Sequence, residues 1–372
     1  MNMRRSRCLN IIRRIVANIL PMATHSVKIT HFPDRLFIER GVFQQSVNFE
    51  FRFQTNSDET FELQEVNVDG LDKQDRLLFK FPLNNFGLVP PILIVPERTI
   101  EHRKMLEIFN PLPNFPLDYS ICRLRYQFRF TTEKGSQVKP EISVYPEVYE
   151  QKVALVLPFA GTCLVTEGHD FLTHHRRNFP FTHPLIQQIG ITGNNSRFAY
   201  DFVLIDDDLK IFRDSPSRNE DFFCWKKPVL CPGDGKVVGM TNDLPDNEFH
   251  KPPSFDVEAH INDPENSMAK HFGNYAIIDH GNDEFSVLAH MQKGSVQANV
   301  GDEVVKGELI GRIGTSGDSF SPHIHYQFQS GKSMLKSEGL PSRFESYDLV
   351  MGRATRRIEN LCPNTGMIIR CK

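Results

Sequence analysis

Gly314-Thr315-Ser316-Gly317-Asp318-Ser319-Phe320-Ser321-Pro322-His323-Ile324-His325-Tyr326-Gln327-Phe328 runs from a loop of small and turn-forming residues into six that alternate polar and apolar. A period of two marks a half-buried strand, in which side chains two apart share a face. His323, His325 and Gln327 are therefore expected on one face, with Ile324, Tyr326 and Phe328 packed on the other. Two imidazoles on one face can reach a common metal or substrate atom. A single His-x-His is weak evidence, because either ring is as readily a solvent-facing residue.

The preceding residues strengthen it. Tyr275 to Asp279 reads as a strand, His280-Gly281-Asn282-Asp283 as a hairpin turn, and Glu284 to His290 as the return strand. Further turns flanked by apolar residues lie at Asn299 to Val304 and Lys306 to Gly311. Upstream, Pro228 to Val238 reads as strand, Pro-Gly-Asp-Gly turn, strand.

Taken together, these pieces resemble the lysostaphin-type zinc metallopeptidases, which cleave peptidoglycan and have a grooved antiparallel β fold. The matching residues, in the family's order, are Phe198-Ala199-Tyr200-Asp201-Phe202, the Pro-Gly-Asp-Gly turn, Asn274 to Gly281, Leu288-Ala289-His290-Met291, Val300-Gly301-Asp302 and Ser321-Pro322-His323-Ile324-His325. The resemblance covers roughly residues 155 to 347. It implies zinc as cofactor, with Asp201 and His325 as ligands. It also implies that His290 and His323 orient the water and stabilise the oxyanion or protonate the leaving amine.

At one position the chain departs from the family. Four residues before Asp201, where the family's first zinc histidine stands, it has Arg197, and a guanidinium has no lone pair to give. His175 is expected to complete the site from the His-rich stretch Leu157 to Asn195, read as a long loop; His174, His169 and His183 are alternatives. Arg197 is expected to turn outward, toward the Asp206 to Asp208 turn or a substrate carboxylate.

Ahead of this region, alternating runs between Val27 and Pro146 suggest an immunoglobulin-like β-sandwich. Ser46 to Gln54 is the cleanest, with Val47, Phe49, Phe51 and Phe53 on one face, and Cys122 to Phe130 mirrors it. Arg123, Arg125 and Arg129 read as a solvated face. The expected chain is thus all-β: an N-terminal segment (1–25), a sandwich (26–148), a grooved antiparallel domain (149–347) and a C-terminal tail (348–372).

A net charge of −3 gives no reason to expect a nucleic-acid partner. Seven dispersed cysteines without a Cys-x-x-Cys pair argue against a zinc ribbon and favour free thiols over Cys224–Cys231 or Cys362–Cys371 bridges. No later stretch has the apolar length of a membrane span. Arg13 and Arg14 interrupt the apolar run from Ile11 to Leu20, so a signal peptide is not clean. The resemblance nevertheless implies an extracytoplasmic enzyme with a peptide or peptidoglycan substrate. Two further readings compete: a degenerate, non-cleaving binder of glycan, peptide or a partner enzyme, and a carrier or phosphotransfer module. Val300 to Gly307 resembles a carrier hairpin, but Thr315-Ser316-Gly317 has no lysine to modify.

Overall fold

The computed structural model describes residues 27–88, 90–171, 173–251 and 257–371. The N-terminal segment expected at 1–25 lies outside them. The described chain is mostly strand, and its sheets are largely antiparallel.

Phe51 and Phe53 show why the first part folds as it does. They lie on strand Glu50–Thr55, which pairs with Val27–Phe32 on one side and Met105–Phe109 on the other. Facing it is a second sheet in which Arg123–Thr131 pairs with Phe61–Leu71, and that strand with Leu77–Leu83. The apolar faces meet ring to ring: Phe51 lies 4.7 Å from Tyr126 and 5.1 Å from Phe128, and Phe53 lies 5.3 Å from Phe130. Edge-on packing of this kind adds about 0.5–1.5 kcal/mol per pair to the burial itself. The outer arginines do not form an open anion site. Arg125 pairs with Asp69 and Arg129 with Glu65 across the strands, and Arg123 reaches Asp75.

The second part is built on one ten-stranded sheet. From edge to edge its strands are Glu303–Val304, Gly235–Thr241, Asn274–Asp279, Phe285–Met291, Ile324–Gln329, Tyr200–Leu204, Gly161–Glu167, Ile368–Cys371, Phe344–Met351 and Ala354–Leu361. Every neighbouring pair is antiparallel. Ile324, Tyr326 and Phe328 are fully buried in the main core, as the alternation required. The opposite face of that strand is covered as well. His325, Gln327 and Gln329 are buried as a polar row, so the strand is buried on both faces rather than half-buried.

Two expectations are corrected here. The stretch from Leu157 to Asn195 is not one loop: Gly161–Glu167 is a central strand, and Pro184–Ile189 is a short helix that starts on Pro184 and ends on Gly190 at φ 83°. The expected tail from 348 to 372 is also no tail. Its residues to 371 complete one strand and form two more, and Ile368–Cys371 is inserted between Gly161–Glu167 and Phe344–Met351. Buried Ile369 and Ile358 supply the apolar contacts that hold these strands in the sheet. All cysteines among the described residues are free thiols.

Candidate metal centre

Strand register brings the first two site residues together. Asp201 sits directly opposite His325, and His325 opposite Ala289, the neighbour of His290. The His325 Nδ1 lies 3.1 Å from Asp201 Oδ1, and its Nε2 is 2.9 Å from Gln327 Oε1. Nε2–H therefore donates to the amide, and Nδ1 is the nitrogen whose lone pair is left for a cation. Gln327 is held in turn by Ser196, whose hydroxyl donates to Oε1 at 2.9 Å, and by its own Nε2–H to Gln329.

His175 arrives from elsewhere. It begins a 3-10 turn, His175–Arg177, and is buried with Nε2 at 3.6 Å from Asp201 Oδ1. Asn194 fixes the turn, its side-chain amide donating to the carbonyls of His175 at 3.1 Å and Arg176 at 3.3 Å. Donor atoms of His175, Asp201 and His325 all lie within 4.8 Å of one another. His174 points differently: it is largely exposed and pairs with Glu167 at 3.3 Å. His169 is fully buried against Glu39, and His183 caps the helix that follows it.

His290 and His323 flank this trio. His290 ends its strand in the left-handed region at φ 56°, a conformation that costs a non-glycine residue energy and recurs at functional sites. That turn aims its ring at His323, with centroids 5.0 Å apart. Nδ1 of His290 is 2.8 Å from the Ser316 carbonyl and Nδ1 of His323 is 2.8 Å from that of Ser321. With Nδ1–H donated in each, both rings keep Nε2 free, and that of His323 lies 3.6 Å from Asp201. The Ser316 carbonyl is delivered by a close backbone approach. A Cβ on Gly273, at φ +73°, would meet it at 2.3 Å, so only glycine fits.

The protonation states suit a cation. Burial pushes His175 down to about 3 and His290 well below its ordinary value, so both rings are neutral at pH 7. Burial opposes ionisation of Asp201, but His175, His323 and His325 outweigh it and hold the carboxyl well below its usual range. Donors at about 2.0–2.1 Å from a tetrahedral zinc stand about 3.3 Å apart. The two separations from Asp201, 3.1 and 3.6 Å, bracket that value.

All five residues line a cleft of about 720 Å³. Phe179, Ile189, Met268 and Phe272 form one wall, the last two supplied by and just after helix Pro264–His271; Phe212 and Phe320 are on the lining too. This helix and its neighbour Val257–Asn262 were not anticipated from the sequence, nor was Phe272, whose ring lies 5.6 Å from that of His325.

Arg197 takes the direction opposite to the expected one. It is fully buried, pairing with Glu50 of the sandwich at 2.6 and 3.1 Å and with Glu338. Burial works against its charge, but Glu338 and Glu50 outweigh that and fix the guanidinium as a cation. The Asp206 to Asp208 turn plays no part.

Residues 258–336 match the model of peptidase family M23. That span contains His290, His323 and His325 but neither Asp201 nor His175. A Haemophilus influenzae protein described as an uncharacterized metalloprotease is 41% identical over 56 residues, 15% of this chain and 11% of that protein. The Vibrio cholerae peptidoglycan DD-endopeptidase ShyC is 38% identical over 56 residues, 15% and 12% of the two chains. The matched stretch thus spans about a tenth of either relative. A crystal structure of a zinc-containing peptidase from Vibrio cholerae aligns over 89% of this chain and 91% of its own, at 14% identity and a TM-score of 0.27, too weak a likeness to argue from.

Proposed function

Because the chain carries a peptidase family M23 domain, we propose that it is a zinc endopeptidase that hydrolyses peptide bonds of peptidoglycan outside the cytoplasm. The observation that carries this reading is the convergence of His175, Asp201 and His325 at the floor of a cleft flanked by two histidines with free Nε2 atoms. His175 Nε2, Asp201 Oδ1 and His325 Nδ1 would hold the metal, leaving a position open for substrate or water. Zinc there supplies an acidified water and a polarised scissile carbonyl.

The protein's own groups do the rest. Gln327 fixes the His325 tautomer, and the carbonyls of Ser316 and Ser321 fix those of His290 and His323. Each flanking ring presents an acceptor nitrogen at Nε2, suited to take a proton from the attacking water and then return it to the leaving amine. Once protonated, the same nitrogen donates toward the developing oxyanion. The apolar walls keep bulk water from competing. A peptidoglycan substrate and an extracytoplasmic location are supported by the name of the Vibrio cholerae relative. No helix among the described residues is long and apolar enough to cross a membrane.

The test is metal analysis of the purified protein together with cleavage of isolated peptidoglycan. His175→Ala, Asp201→Ala and His325→Ala should each lose one zinc per chain relative to the parent. His290→Ala and His323→Ala should keep it while turnover falls on the order of a hundredfold or more. Full zinc retention in the first three variants overturns the ligand assignment. A parent that binds peptidoglycan without cleaving it overturns the enzyme reading in favour of a binding module.

A further inference from the structure

Away from the cleft, the seam between the sandwich and the ten-stranded sheet buries a second set of ligand-type side chains. Glu39, on strand Phe37–Arg40, is 2% exposed; His169, just beyond strand Gly161–Glu167, and Cys362, just beyond strand Ala354–Leu361, are at 0%. Donor atoms of the three lie within 4.8 Å of one another. Backbone contacts hold the segments in place. Gly41 bridges to Cys362, the Cys362 amide donates to the Arg40 carbonyl at 3.3 Å, and Asn48 donates to the His169 carbonyl at 3.3 Å.

Within the protein alone this cluster is poorly satisfied. Glu39 Oε1 meets His169 Nδ1 at 2.9 Å, with the Tyr200 hydroxyl 3.5 Å from the same nitrogen. Glu39 Oε2 and His169 Nε2 are buried with no hydrogen-bond partner. An unpaired buried polar atom costs roughly 1–3 kcal/mol, more when it carries charge. The defects fall on the two residues whose donor atoms converge with the Cys362 sulfur.

We propose that Glu39, His169 and Cys362 form a second, structural metal site that takes zinc or a similar divalent cation and clasps the sandwich to the catalytic sheet. A carboxylate, a thiolate and a neutral imidazole around a divalent cation sum to zero charge, the condition for burying an ion cheaply. Binding converts the Cys362 thiol to a thiolate and releases its proton to solvent. A water from the adjoining cavity of about 130 Å³ lined by Glu39 and Cys362 would complete four-coordination without adding charge. This site is independent of the peptidase reading, because it shares no residue with the cleft.

Sulfur separates the two sites experimentally. The proposed cleft ligands include no thiolate, so protein from cells grown with cobalt in place of zinc should show thiolate-to-cobalt charge-transfer absorption from this site alone. The band should persist in His325→Ala and vanish in Cys362→Ser, which should also carry one metal fewer per chain. Glu39→Gln, nearly isosteric, keeps the sulfur but loses the charge balance. It should shift or weaken the band, and it decides the matter if the cysteine variant fails to fold. A parent without the band, a band that survives Cys362→Ser, or one unchanged in Glu39→Gln overturns the proposal.

Discussion

Arg197 shows how one residue can be read correctly for what it is not. The sequence excluded it as a ligand, since a guanidinium has no lone pair. Its inward turn was not legible, because one partner, Glu50, belongs to the sandwich and is distant in sequence. The pairing explains how a guanidinium is kept buried four residues before Asp201: the buried Glu50 and the partly buried Glu338 neutralise it. Arg197→Ala leaves the fully buried Glu50 without its paired guanidinium, and breaking a buried pair from one side costs about 3–5 kcal/mol. Denaturant unfolding should therefore show Arg197→Ala far less stable than the parent; an unchanged midpoint would mean the carboxylates are neutral or hydrated. Alternation placed His323 and His325 on one strand face, whereas Asp201 was legible only through the resemblance to the lysostaphin-type family; the structure then sets it opposite His325. His175 was only one of several candidates, since no local period determines how far its turn reaches into the cleft.

The element that would decide the geometry of the proposed metal site is the turn carrying His175. Asn194 bonds the carbonyls of His175 and Arg176, and the Arg176 guanidinium donates to the Asn110 carbonyl of the sandwich at 3.0 Å. Asn194→Ala frees two buried carbonyls and lets the ligand drift. Zinc affinity at the cleft should fall about tenfold, the lower end for loss of a supporting contact to a ligand, as read by chelator competition. Unchanged affinity would place the burden of holding His175 on Arg176 alone. Other elements escaped sequence reading for definite reasons. Ala354–Leu361 presents a single deeply buried residue of its own, Ile358, so apolar periodicity cannot distinguish it from a loop. Helix Pro264–His271 spans barely two turns and carries few apolar residues. Gly161–Glu167 was hidden in a segment whose histidines and turn residues suggested a loop. The hairpin around His280, by contrast, was legible because its turn residues, Asn282 and Asp283 among them, adopt positive φ between two apolar strands.

At the scale of the molecule, the sandwich and the ten-stranded sheet share buried charge. Glu107, on sandwich strand Met105–Phe109, meets Arg52 at 3.2 Å and accepts the Phe181 amide at 3.3 Å. Burial, and then the Glu50 charge, raise its carboxyl to about 7 despite Arg52. A carboxyl raised on folding stabilises most when protonated. Its contribution is full below the unfolded value near 4.5 and is lost as pH rises through 7. The loss amounts to up to about 3 kcal/mol for a shift of this size. Unfolding free energy should therefore decline between pH 5 and 8, and Glu107→Gln should flatten that decline; an equal slope in the variant would assign it to other groups.

The strand Ile368–Cys371 lies between two strands made earlier in the chain. During folding that slot closes only when Ile368–Cys371, which follows every residue of the cleft in the chain, pairs with both neighbours. Until it closes, the sheet carrying the cleft has open edges ready to accept a foreign strand, and the long-range pairing that covers them is slow to form.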